Sequence, residues 1–110
     1  MAIAKIVVTA HIHTGRLFTE EGYDVERSAE NLADVEGELI TGLLADEYPD
    51  TEIYVDIGIH NDADGASTIE VSAYSGEEQV DGAVSEAIQQ RLARAVVEGT
   101  ADYAWAVKAG

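Results

Sequence analysis

The sequence predicts an α+β fold, a two-layer sandwich in the order β-α-β-β-α with both helices on one face of a mixed sheet. Three observations carry this. Three segments alternate apolar and polar residues with period two, and two longer segments space apolar residues three or four apart. Turn-rich stretches, Asn61 to Gly65 above all, fall between them. The chain has 110 residues with no linker or internal repeat, so residues 1–110 read as a single α+β domain.

Ala4 to His13 puts Ile6, Val8, Ala10 and Ile12 on one face and Val7, Thr9, His11 and His13 on the other, a strand pattern rich in β-branched residues. Gly15 and Gly22 mark the following polar stretch as a loop. From Ser28, read as an N-cap, Leu32, Val35, Leu39 and Leu43 form an amphipathic stripe flanked by Ile40 and Leu44. Pro49 ends this helix, because the residue before a proline is pushed out of the helical region.

Glu52 to His60 alternates again through Ile53, Val55, Ile57 and Ile59. Asn61 to Gly65 supplies turn chemistry, and Thr68 to Tyr74 returns as the second arm of a hairpin. The second helix is expected from about Glu77, with Val80, Val84, Ile88, Leu92 and Val96 on its stripe and Gly99 as the C′ residue. The tail admits two readings. Tyr103, Trp105 and Val107 alternate, so residues 102–108 could form a fourth strand and a ferredoxin-like β-α-β-β-α-β sheet. Ala101, Ala104 and Ala106 would instead let the helix continue past a kink.

Charge is the dominant compositional signal. Twenty-two acidic residues against six Lys and Arg give a formal net charge of −16, and from Ser28 to Gln90 no Lys or Arg occurs. Such a field repels nucleic acid and anionic lipid, which excludes direct nucleic-acid binding and points to a basic protein surface as partner. The absence of cysteine excludes disulfides, thiolate metal sites and cysteine nucleophiles. No apolar run approaches the roughly 18 residues of a membrane span, and the start lacks the signature of a secretory signal, so a cytoplasmic protein without membrane partners is expected.

Among residues that could carry chemistry, His11 and His13 share one strand face, and His60 falls on the same face of the next, parallel strand. Three imidazoles near one edge, with Asp62 and Asp64 in the adjacent loop, make a candidate site for zinc, nickel or copper. A calcium loop does not fit. With Gly65 at its sixth position, the first and twelfth fall on His60 and Val71 instead of carboxylates. No nucleophile elbow and no phosphate-binding glycine loop occurs, so a non-enzymatic protein without cofactors is expected.

The acidic helix faces are the stronger candidates. Glu30, Asp34 and Glu38 follow at i, i+4 and line one ridge with about 6 Å between steps, without an interleaved cation. Glu77, Glu78, Asp81 and Glu86 are expected to extend the negative surface onto the second helix, and Asp102 onto the tail. Regularly spaced carboxylates can imitate a phosphate backbone toward a cationic groove. The plainer reading is that they are the wet faces of two helices.

Several of these stretches resemble the DinI family of small acidic SOS-response proteins that modulate the RecA recombinase. Gly37-Glu38-Leu39 in the first helix, Tyr48-Pro49-Asp50 before the second strand and Ala101-Asp102-Tyr103-Ala104-Trp105 at the end are similar to stretches of that family. The resemblance implies an acidic ridge that imitates single-stranded DNA and binds a RecA-type protein, mainly through the second helix. Arg91 and Arg94, with only Glu98 and Asp102 after them, depart from that pattern, as does the long loop from Thr14 to Arg27.

The leading expectation is therefore an acidic modulator of a DNA-handling protein, RecA-type regulation or phage anti-defence included. The alternative is a small domain from a salt-adapted proteome. With both helices on one face, the other face of the sheet would show Val7, Thr9, Tyr54, Tyr74 and the histidines, and a homodimer formed there is expected to weaken at acid pH.

Overall fold

The computed structural model describes residues 3–14, 22–60 and 68–109. The elements run β1 (Lys5–His13), α1 (Val25–Glu47), β2 (Glu52–His60), β3 (Thr68–Ser75), β4 (Glu78–Gln79) and α2 (Gly82–Thr100). The sheet order is β2-β1-β3-β4, with β1 parallel to β2 and antiparallel to β3. This is the expected helix-on-sheet α+β fold. The fourth strand is the two-residue β4 rather than residues 102–108.

The strand alternation translates directly into layers. Ile6, Val8, Ala10 and Ile12 are buried, and the registers place Ile53 and Ala73 beside Ile6, and Val55 and Val71 beside Val8. Ile40 and Leu44 of α1 and Ile88, Leu92 and Val96 of α2 close over this face. A second cluster joins Ile12, Ala29, Leu32 and Trp105.

Helix boundaries differ from the sequence reading for identifiable reasons. Asp24, not Ser28, caps α1, its carboxylate accepting the Arg27 amide at 3.1 Å. Ser28 lies one turn inside, fully buried, where its hydroxyl accepts the Val107 amide at 2.9 Å. Tyr48 is the C-cap of α1, immediately before Pro49 as expected. At α2, Gly76 adopts φ +71° and turns the chain into β4, so the helix starts only after the Asp81 cap, which accepts the Ala83 amide. Gly99 is inside α2 rather than beyond its end. A Cβ there would lie 2.6 Å from Leu39 Cδ1, so the glycine permits close approach of α1.

The tail is neither strand nor helix continuation. Tyr103 takes φ +54°, and Trp105 turns inward, 6% exposed, with its indole N–H donating to the Thr100 carbonyl. Val107 and Lys108 then lie alongside Tyr23 and Asp24. Tertiary hydrogen bonds to α1 decide this conformation, which local periodicity does not encode.

Candidate functional site

Consider first the histidines. Parallel register sets His13 beside His60 and His11 beside Gly58. The missing Cβ at Gly58 leaves room for both neighbouring rings, since a Cβ would stand 3.3 Å from His60 Nε2 and 3.7 Å from His11 Nδ1. His11 Nδ1 and His60 Nε2 are hydrogen-bonded at 2.9 Å, and the His13 ring stacks on His60 at 4.8 Å. His11 Nε2 also stands 4.0 Å from the Glu70 carboxylate. The three imidazoles are thus brought together, yet they bond and stack on one another. Among the described residues no group of three or more His, Cys, Asp or Glu is placed to hold a metal ion. The Asn61–Gly65 turn, with Asp62 and Asp64, lies outside the described residues.

The acidic candidates are all exposed, but they divide by element. Glu30, Asp34 and Glu38 line α1 as expected, and Glu26 and Asp46 prolong the same i, i+4 row, interrupted only by Gly42. The row spans roughly 30 Å at 1.5 Å rise per residue. Glu77 and Glu78 fall in the β3–β4 turn and on β4, Asp81 caps α2, and only Glu86 lies on that helix. Asp102 lies in the tail, its carboxylate accepting the Ala104 amide. The expected extension of one surface along α2 is therefore broken into separate short segments. Arg91 is occupied by an ion pair with Glu47, which ties α2 to α1.

The α1 ridge borders an open sheet edge. A groove of about 820 Å³ runs between α1 and β2, lined by Ala33, Asp34, Gly37, Glu38, Thr41, Gly42, Val55 and Ile57. Its floor is made of small and apolar groups, and its helix rim carries two carboxylates. On the other face of β2, Glu52 and Asp56 are exposed. The strand edge is thus flanked by acids on both sides.

One residue with a perturbed pKa escaped the sequence reading. Glu36 is 7% exposed in the apolar stripe Leu32–Glu36–Ile40–Leu44, and burial pushes its carboxyl from the ordinary 4.5 up to about 7. It lines a 130 Å³ cavity with His11, Thr68, Ile69, Ala93, Val96 and Val97. The sequence signal is a carboxylate four residues from apolar neighbours on either side, but the stripe read from spacing runs through Val35 and Leu39, which are only half-buried. A carboxyl in this range can exchange a proton near neutrality.

Fold and site together define a helix-on-sheet α+β protein with one flank that joins an acidic helix ridge to the edge strand β2. The chain matches no family model, no curated protein and no solved structure. No helix among the described residues is long and apolar enough to cross a membrane.

Proposed function

We propose that the chain is an acidic, non-enzymatic modulator that binds the cationic surface of a DNA-handling protein through the α1 ridge, a RecA-type recombinase being the first partner to try. The observation that supports this reading is the row Glu26, Glu30, Asp34, Glu38 and Asp46, exposed along a 23-residue helix. Like charges at this spacing disfavour an isolated helix by a few tenths of a kcal/mol per pair, about 0.2–0.5. A cationic groove would relieve that repulsion, steer the encounter and make affinity fall with salt.

The test is competition with DNA for RecA-type and other basic DNA-binding proteins at two salt concentrations. Displacement at low salt that weakens at high salt, and is lost in a Glu30→Gln, Asp34→Asn, Glu38→Gln variant, is expected. Absence of binding to every basic partner at low salt would end the reading. A second reading, salt adaptation, draws on a different observation. Exposed acids also occupy β2, β3, β4 and α2, so acidity covers several surfaces rather than one.

A further inference from the structure

The two edges of the sheet are finished differently. On the β3 side, the Val71 amide donates to the Gln89 side chain at 3.3 Å, and the Ala73 carbonyl accepts the Val80 amide at 2.9 Å. β4 covers the end of the strand. Among the described residues the β2 side has no such cover. The Glu52 amide donates to the Ala4 carbonyl, so Glu52, Tyr54, Asp56, Gly58 and His60 turn their backbone groups toward β1. By alternation, Ile53, Val55, Ile57 and Ile59 turn theirs outward. Among the described residues no further strand pairs with those outward groups.

The nine residues of β2 pair with β1 on one side only, and along the other side no Pro, Lys or bulge interrupts them, Glu52 and Asp56 being the charges that guard this edge. What flanks them selects the occupant. An added strand would send alternate side chains into the groove over Ala33, Gly37 and Thr41, beneath Asp34 and Glu38. Its other side chains would lie beside Glu52 and Asp56 on the open face. Small apolar residues suit the first row and cationic ones the second. A second copy of this chain does not suit the edge. It brings its own charge of −16, and pairing two β2 strands gathers Glu52 and Asp56 of both copies on one face.

We propose that the outer edge of β2 binds an extended basic segment of a partner protein, with apolar and cationic residues alternating, as a further strand of the sheet. The inference rests on the preceding reading that the partner is a basic protein, and adds the conformation in which it is held. Main-chain pairing would supply register and affinity, and the flanking carboxylates would supply selectivity.

The probe is an end-capped Lys–Val alternating octapeptide, compared with the same peptide N-methylated on alternate residues, at low salt. Amide hydrogen exchange is read at Ile53, Val55, Ile57 and Ile59, and mass by light scattering. The capped peptide is expected to bind and to slow exchange at these four amides, while the methylated one does not. Val55→Pro removes one outward donor and leaves the ladder to β1 intact, so it should weaken binding about tenfold while circular dichroism stays unchanged. If Val55→Pro misfolds, the exchange pattern of the natural chain decides alone.

Binding that is indifferent to methylation and leaves the four amides unprotected would overturn the strand inference while the acidic-modulator reading stands. No binding of the peptide at low salt would also overturn it. So would a dimer in which these amides are already protected without peptide. If the α1 ridge variant competes with DNA as well as the natural chain does, the modulator reading fails instead, whatever the peptide does.

Discussion

Glu36 shows how one side chain can oppose its own helix stripe. A carboxyl raised from 4.5 to about 7 has the same protonation in both states below pH 4.5. Between those values only the unfolded chain ionises, so stability falls as pH rises, and the loss is complete above about 7. The full effect is about 3 kcal/mol. Glu36→Gln should therefore match the natural chain near pH 4.5 and exceed it by about 1–3 kcal/mol at pH 8 in urea unfolding. Parallel stability curves would show that the carboxyl is not desolvated. At the histidine cluster, Gly58→Ala places a methyl 3.3 Å from His60 Nε2 and should separate the His11–His60 pair. Imidazole nitrogen shifts in NMR would change, with stability moving by less than about 1 kcal/mol at this half-exposed site.

At the scale of elements, the tail is the least predictable piece and one of the best anchored. Trp105 fills the second cluster with Ile12, Ala29 and Leu32, while Ser28 and Asn31 of α1 hold the Val107 and Trp105 backbone. Trp105→Ala is expected to cost about 3–5 kcal/mol and to lower the thermal midpoint, read by circular dichroism. A change within 0.5 kcal/mol would mean the tail is a passenger. The fit of α1 to α2 depends on Gly99, where Leu39 stands in the space a Cβ would take. Ala at this position gains about 1 kcal/mol of helix propensity but must push a flexible leucine tip aside, so Gly99→Ala should be near neutral. Gly99→Val, bulkier and β-branched, should be clearly destabilising.

For the whole molecule, charge and shape interact. The open face carries Tyr54, 53% exposed, and Val7, as the alternation predicts. The same registers set Asp56 and Glu70 on either side of Thr9, so carboxylates occupy the middle of the face. A face-to-face dimer would have to bring these groups against their copies, which like-charge repulsion disfavours at neutral pH. Self-repulsion at −16 should also make the thermal midpoint climb as salt is added. Melts in dilute buffer and in molar KCl separate the two functional readings. A modulator should be folded in both, and a salt-adapted domain should lose structure in dilute buffer.

The sequence by itself determined the layers, because a strand of period two and a helix of period 3.6 each expose one apolar face that only a sandwich buries. It also determined the sign of the molecule's own charge, since net charge is additive and needs no coordinates. The meeting of His11, His13 and His60 was legible for the same reason, as a helical crossover makes β1 and β2 parallel. Tertiary structure alone decided the rest. Which of two overlapping stripes on α1 faced inward buried Glu36. Contacts between residues 79 positions apart held Val107 against Ser28 and turned Trp105 inward. The sheet order left the outer edge of β2 open beside the acidic ridge. Each depends on where distant segments meet, and local periodicity is blind to that.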